Sequence, residues 1–283
     1  MLAFVHIPKT AGETIIGILR RNFSFRHLDS RLIEDNKPIT AAQVKRALAI
    51  YPRIESIAGH AVCAYSDLSS EFPRIRFYTF LREPNGRFAS NFLFSNSVRI
   101  LHRGWRPETN KELEDTFPVF LESKRDVCCR VLALGGESAA AIGALETQFG
   151  FVGLVEHFDE SLALIRNWMG RPNFDLRYQR KNASKGRSRT KPKSMAVHLD
   201  RLDKWTREFM VRPNIVEMIA EANQADIVLY EYARDKIFER MRNDYSAGSG
   251  PFNFEDETMA QDAILGRIYR NLVGRPFVRL VVQ

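Results

Sequence analysis

A lysine and two threonines stand close together near the amino terminus, in a turn of mostly small residues. The apolar run 2–7 before this turn predicts a strand buried on both faces, and the pattern from Thr14 to Asn22 predicts a helix. Such a turn presents backbone N–H groups and the positive end of a helix dipole to an anion, and its lysine adds a cation. The turn therefore predicts a phosphate-binding site composed of Lys9, Thr10, Ala11, Gly12, Glu13 and Thr14.

A second cationic group follows another predicted strand. The apolar run 77–81 predicts a buried parallel strand, and Arg82 stands at its carboxyl end. Pro84 suits the first turn of the following helix, on which Arg87 and Ser90 should share a face. Ligands bind at the carboxyl ends of the strands in an open parallel sheet, so we expect Arg82 to reach the same edge as the first turn.

The end of this second strand also bears on metal use. A Mg²⁺-dependent nucleotide enzyme usually holds its metal with an aspartate at such a position. Here the position offers Arg82, with Glu83 as the only acid, and the Cys and His residues show no metal-ligand spacing. A phosphate site that consists of arginine and serine and offers no metal ligand fits an anionic ligand other than Mg-ATP.

Taken together, these segments resemble motifs of sulfotransferases that use 3′-phosphoadenosine-5′-phosphosulfate (PAPS), especially the family containing the carbohydrate 2-O-sulfotransferases. Residues 8–12 resemble the 5′-phosphosulfate loop of that family. Residues 81–90 resemble its 3′-phosphate motif, L-R-D-P-x-E-R-x-x-S, with Glu83 and Gly86 in place of the two acids. The two segments stand in the family's order and about 70 residues apart, which makes the pair far more specific than either alone.

The resemblance implies which residues hold the co-substrate. Arg82 and Ser90 correspond to the ligands of the 3′-phosphate, and the turn at 9–14 holds the 5′-phosphosulfate, where Lys9 stabilises charge during transfer. A basic stretch resembles a segment that closes over the nucleotide in related enzymes, which implies phosphate contacts from Lys181 and Lys185.

The resemblance also implies a base. Residues 59–62 resemble the family's H-G-H-V segment, and His60 corresponds to its catalytic histidine. A histidine side chain ordinarily has a pKa of about 6.5, which suits a base at neutral pH. Glu13 is a departure, because family members often have Thr or Ser there. The acid could cap its own helix or repel the co-substrate, and the sequence leaves both open.

The fold implied by the resemblance is an α/β fold, with a central parallel sheet flanked by helices as in P-loop NTPases. We expect a sulfotransferase domain at 1–242 with a helical insertion at about 91–148, then a linker and tail at 243–283. Thr40 is the expected N-cap of one helix. The predicted helices after the first are 40–50, 84–103, 117–134, 137–149, 194–210 and 213–242.

Composition narrows the class of protein. The chain has 283 residues, of which 45% are hydrophobic, enough for a sizeable core. No apolar run approaches the ~18 residues of a membrane span, and no leader pattern precedes the first strand, so we expect a cytoplasmic protein. The cysteines, Cys63, Cys128 and Cys129, are odd in number, which favours reduced thiols.

The net charge of +8 weakly favours an anionic acceptor. The basic run 177–193 lacks the interleaved aromatic residues of a single-strand nucleic-acid platform, so we expect no nucleic-acid partner. The resemblance implies a hydroxyl-bearing acceptor, for which a glycan, a glycolipid and a small metabolite all fit, and the oligomeric state is open.

Two other classes of function stay open on the sequence alone. A P-loop-type kinase would require Mg²⁺ and consume a γ-phosphate. A non-catalytic module would either bind the nucleotide without turnover or bind nucleic acid with a steep salt dependence.

Overall fold

The computed structural model of this chain describes residues 1–30, 37–179, 193–246 and 252–256. Its strands are β1 (Leu2–Val5), β2 (His27–Asp29), β3 (Ser56–Gly59), β4 (Arg76–Leu81) and β5 (Phe149–Leu154). They form one parallel sheet in the order β2-β3-β1-β4-β5, with helices packed against it. The predicted α/β class with a central parallel sheet is confirmed.

The helices that matter most for the site begin directly after two of these strands, at the carboxyl edge of the sheet. They are the helix after β1 and the helix after β4. In chain order the helices are α1 (Gly12–Phe23), α2 (Ala41–Ile50), α3 (Leu68–Glu71), α4 (Pro84–His102), α5 (Asn110–Glu114), α6 (Phe117–Ser123), α7 (Val127–Leu132), α8 (Ser138–Thr147), α9 (Phe158–Met169), α10 (Lys193–Met210), α11 (Pro213–Ala222), α12 (Gln224–Tyr232) and α13 (Glu239–Asp244). A 3₁₀ turn (Ser24–Arg26) follows α1, and a π-helical segment (Ala233–Phe238) follows α12.

Strand β1 lies at the centre of the sheet, and every one of its residues is buried, as its uninterrupted apolar sequence requires. It pairs with β3 on one side and β4 on the other, with Val5 opposite Gly59 and Thr79. This register brings the residues that follow β1 and β3 side by side. The turn after β1 and His60 therefore meet at one edge.

Aromatic side chains fill the space over the middle of the sheet. The ring of Phe4 stacks on that of Tyr78 with centroids 5.1 Å apart, and Phe80 lies 6.2 Å from Phe151. A separate apolar cluster joins α4, α6 and α10, where Phe209 lies 6.3 Å from Phe92 and 5.1 Å from Phe117. This second cluster fixes α10 against α4.

Two helix predictions are wrong in their extent. The segment 117–134 forms α6 and α7, because Asp126 between them takes a left-handed backbone with φ 41° and accepts the Asp226 N–H at 3.0 Å. The segment 213–242 is divided at Asn223, whose side chain donates to Ile219 O at 2.8 Å. Asp126 contacts a distant segment in this way, and Asn223 likewise accepts a hydrogen bond from the distant Arg87 at 3.1 Å, so local sequence patterns do not reveal either contact. The short strand β2 was not anticipated either, because its segment reads as a polar connection.

The predicted start of α2 is confirmed. The Thr40 hydroxyl accepts the Gln43 N–H at 3.3 Å, and the Gln43 side chain accepts the Thr40 N–H at 2.9 Å. These reciprocal bonds form a capping box, which satisfies two amides at the helix start.

The tail is described only at 252–256, and the rest of 247–283 lies outside the described residues. Tyr178 donates its N–H to Phe254 O at 2.9 Å and accepts the Asp256 N–H at 2.8 Å. Helix α13 continues to Asp244, and the predicted boundary at 242 stays a prediction.

The three cysteines are buried and form no disulfide. None of the helices at 1–30, 37–179 and 193–246 has the length and apolarity to span a membrane.

Candidate functional site

A cavity of about 690 Å³ opens at the carboxyl edge of the sheet. It is bounded by the turn after β1, by His60, by the first three turns of α4 and by the second half of α10. The predicted site residues that line it are Lys9, Ala11, Gly12, Glu13, Thr14, His60, Arg82 and Ser90. Thr10 does not line it, and Lys181 and Lys185 lie outside the described residues.

The turn after β1 holds two non-glycine residues in left-handed backbone conformations, Lys9 with φ 71° and Ala11 with φ 61°. Each costs roughly 1–2 kcal/mol, and such strain concentrates at functional sites. The buried Thr10 hydroxyl donates to Ile7 O at 2.9 Å and holds the turn closed. Thr10 thus shapes the turn, and a direct contact of its hydroxyl with a ligand stays a prediction.

Helix α1 starts at this turn without a side-chain cap. Its N-cap residue is Ala11, whose methyl group cannot accept a hydrogen bond from the first-turn amides. Ala11, Gly12 and Thr14 all line the cavity. An anion in the cavity can therefore take the place of the missing cap and meet the positive end of the helix dipole.

His60 is held beside this turn by the backbone of the neighbouring strand end. Its Nδ1 lies 2.7 Å from the carbonyl oxygen of His6, and the two imidazole rings stack with centroids 4.1 Å apart. A carbonyl can only accept a hydrogen bond, so Nδ1 carries the proton. In the neutral ring, Nε2 is then the nitrogen that carries the lone pair and no proton.

His6 is buried between His60 and the start of α1. A Cβ at Gly12 would overlap the His6 ring, so glycine is required at this position for reasons of packing. The one glycine of the turn thus allows a stack of two histidines beside the helix start.

Arg82 joins the two predicted anion-binding segments. Its Nη1 donates to Lys9 O at 3.5 Å, which links the end of β4 to the turn after β1. Burial lowers the pKa of the Arg82 guanidinium, whereas the nearby carboxylates of Glu156 and Glu83 raise it. Ser90 follows two turns later on α4 and lines the same cavity.

Glu83 has a structural task at the start of α4. Its carboxylate accepts the N–H groups of Asn85 at 2.9 Å and Gly86 at 2.6 Å, which makes it the N-cap. Its own N–H donates to Glu156, whose other oxygen accepts the Tyr230 hydroxyl at 2.8 Å. The replacement of aspartate by glutamate in the motif is thus compatible with capping.

Arg87 lies three residues before Ser90 on α4, but their helical spacing does not bring both to the cavity, which Ser90 lines and Arg87 does not. Arg87 is fully buried, and its Nη2 donates to Asn223 Oδ1 at 3.1 Å and to Asp226 Oδ2 at 3.2 Å. Asp226 also accepts the backbone N–H groups of Cys128 and Cys129. Arg87 therefore ties α4 to α7 and α12 and takes no part in lining the cavity.

Sequence reasoning missed other residues of the cavity wall. The Lys9 ammonium lies 4.3 Å from the ring centroid of Phe94, which stands four residues after Ser90 and could have been found from that helical spacing. No local signal reveals the contribution of α10, because its position depends on packing against α4. The cavity residues from α10 are Asp203, Thr206, Arg207 and Met210.

Among the described residues, no group of three His, Cys, Asp or Glu side chains is placed to hold a metal ion. The sequence model of one protein family, described as "Sulfotransferase family", matches residues 1–233 of the chain. The match runs from β1 to the start of the π-helical segment and includes all the cavity residues named above. No curated protein matches the chain.

Proposed function

The chain belongs to the sulfotransferase family, and from this membership we propose that it transfers the sulfuryl group of PAPS to a hydroxyl of a carbohydrate or a glycolipid. Sulfotransferase activity and a hydroxyl acceptor follow from the family. The identity of the sulfuryl donor, the class of acceptor and the roles of the residues are the proposal.

One observation carries it: a single cavity joins two separate sets of anion-binding groups. Lys9 and the uncapped start of α1 form one set, and Arg82 and Ser90 form the other. PAPS has anionic groups at its 5′ and 3′ positions, so the two sets match the two ends of the molecule. The donor set of amides, cations and a hydroxyl suits phosphate and sulfate oxygens.

The residues around the cavity support sulfuryl transfer in distinct ways. PAPS, when bound, supplies the sulfuryl group and an oxygen that gains negative charge as that group leaves. Lys9 and the first-turn amides of α1 stabilise negative charge at their end of the cavity. Because its Nδ1–H is held by His6 O, His60 receives the proton of the acceptor hydroxyl on Nε2. Arg82 and Ser90 fix the far end of the donor and so orient it.

The test is calorimetric titration of adenosine 3′,5′-bisphosphate, the expected product, with Mg-ATP as comparator. We expect the bisphosphate to bind much more tightly than Mg-ATP. Arg82→Ala should weaken bisphosphate binding by roughly 10- to 100-fold, since hydrogen bonds to charged groups are worth about 1.5–3 kcal/mol. The matched control is Arg46→Ala, which removes an exposed arginine on α2 outside the cavity and should change nothing.

The other results have definite meanings. Preference for Mg-ATP would contradict the proposal and favour a nucleotide-dependent kinase. Binding of neither ligand would favour a non-catalytic protein, and the basic run at 177–193 would then be the next place to search for a ligand.

A further inference from the structure

The wall of the cavity that α10 contributes has no task in the function proposed above. Four of the described residues of α10 line the cavity, and their spacing of three, one and three residues places them in one stripe along the helix. They are Asp203, Thr206, Arg207 and Met210. The neighbouring stripe, which includes Leu202 and Phe209, packs against the apolar cluster with α4. The cavity-facing stripe is therefore held rigidly, and its polar groups keep a fixed place in the wall.

Two oxygens on this stripe are buried without a hydrogen-bond partner among the described residues. One is the hydroxyl oxygen of Thr206, a residue that is only 3% exposed, and the other is Oδ1 of Asp203. Both residues line the cavity. A buried polar atom without a partner destabilises the protein, so two such atoms in one wall point to a ligand that completes them.

The hydrogen-bonding capacity of this stripe determines which groups of a ligand can bind to it. The second carboxylate oxygen of Asp203 accepts from Arg207, from Nε at 3.0 Å and from Nη2 at 2.9 Å. This ion pair leaves Oδ1 in need of an N–H or O–H donor. Thr206 can both donate and accept. A hydroxyl group on a ligand satisfies either residue, whereas an anionic group would face the Asp203 carboxylate.

We propose that Asp203 and Thr206 bind hydroxyl groups of the sulfuryl acceptor, and that this acceptor is an uncharged, polyhydroxylated molecule such as a sugar ring with adjacent free hydroxyls. The inference rests on the proposed sulfotransferase function and names the acceptor class for the same cavity. It departs from the expectation that the net positive charge favours an anionic acceptor, because the local charge of this wall is balanced by the Asp203–Arg207 pair.

The experiment measures sulfuryl transfer from radiolabelled PAPS to three defined probes: methyl β-lactoside, a disaccharide of glucuronic acid and N-acetylglucosamine, and 4-nitrophenol. We expect the lactoside to be the best acceptor of the three. Thr206→Val, which removes the hydroxyl at nearly constant volume, should raise the KM for the lactoside about tenfold. Asp203→Asn should raise it similarly and should improve the glucuronate disaccharide relative to the lactoside.

Controls separate recognition of the acceptor from folding and from binding of the co-substrate. Thr206→Ser keeps the hydroxyl and should restore the KM, and Thr147→Val changes an exposed threonine outside the cavity and should have no effect. In all variants the dissociation constant of adenosine 3′,5′-bisphosphate should stay within about twofold of the wild-type value.

Three results would overturn the inference while the proposed function stands: weaker bisphosphate binding in Thr206→Val, a preference of the wild type for the glucuronate disaccharide or the phenol, or no transfer to the lactoside despite tight bisphosphate binding. A different result would contradict the proposed function itself: the wild-type protein would not bind the bisphosphate.

Discussion

The imidazole of His60 is oriented by backbone and packing together. The His6 carbonyl fixes the proton on Nδ1, and the stacked His6 ring limits rotation of the side chain. Nothing in this arrangement requires another side chain to select the tautomer. A backbone carbonyl thus performs the orienting role that a carboxylate performs in many other enzymes.

This arrangement predicts the behaviour of His60→Ala. Turnover should fall by about 10²- to 10⁴-fold, the usual contribution of a general base. Binding of the bisphosphate should change little, because the anion-binding groups stay in place. Steady-state kinetics and calorimetry on the same preparation measure both quantities. His102→Ala removes an exposed histidine at the end of α4 as the control. Loss of binding equal to that in Arg82→Ala would contradict the assignment.

Glu13 lies in the first turn of α1 and lines the cavity, so it meets the helix dipole and any bound anion at once. Glu13→Gln should tighten bisphosphate binding roughly fivefold, since removing one repulsive charge near a surface site is worth about 1 kcal/mol. The same variant should lose about 0.3–1 kcal/mol of stability, because the favourable interaction with the dipole is lost. Calorimetry and urea unfolding measure the two effects. Weaker binding in the variant would mean that Glu13 supports the ligand.

At the level of the elements, the buried pair of Arg87 and Asp226 joins α4 to α12 and, through two amides, to α7. Arg87→Met leaves the Asp226 carboxylate buried without its cation, so we expect a loss of about 3–5 kcal/mol in urea unfolding. The folded variant should still bind the bisphosphate, because Arg87 lies outside the cavity. Arg240→Met breaks an exposed pair with Glu146 and should cost at most about 1 kcal/mol. Equal costs would refute the structural role of Arg87.

The elements around the two motifs were predictable because their signals are local. The apolar runs of β1 and β4, Pro84 at the first turn of α4 and the Thr40 capping box can each be recognised in a few neighbouring residues. The motifs then gave eight of the residues that line the cavity.

What could not be predicted depends on contacts between distant segments. Arg87 has the spacing of a cavity residue, and only its buried partners, Asn223 and Asp226, show that its side chain points away from the cavity. The stripe of α10 and the stacking of His6 on His60 likewise require the three-dimensional packing. Helical periodicity assigns a residue to a face, but it does not tell which neighbour that face will meet.

For the molecule as a whole, the sheet is bounded on one side by β2, a strand of three residues whose pairing depends on β3. His27 begins this strand, opposite Ser56, and its Nδ1 lies 3.1 Å from the Ser56 hydroxyl. Burial lowers the pKa of His27 to about 4, with Arg20 acting in the same direction and Asp29 opposing it. The folded protein therefore keeps this ring neutral at pH values where the unfolded chain protonates it.

The depressed pKa predicts that global stability falls with acidity over a defined range. Between the ordinary histidine pKa of about 6.5 and the value near 4, the unfolded chain binds more protons than the folded one, so lowering the pH favours unfolding. For His27 alone the loss between pH 7 and pH 5 should be about 2 kcal/mol. His27→Gln removes the titrating group. Between pH 7 and pH 5 the free energy of unfolding of this variant, measured with urea, should therefore fall by about 2 kcal/mol less than that of the wild type. This difference does not depend on how stable the variant is at pH 7. If the free energy of unfolding of His27→Gln fell as much as that of the wild type between pH 7 and pH 5, the acid sensitivity would come from other groups. Protonation of His27 on the edge strand β2 would then not be the cause of the loss of stability.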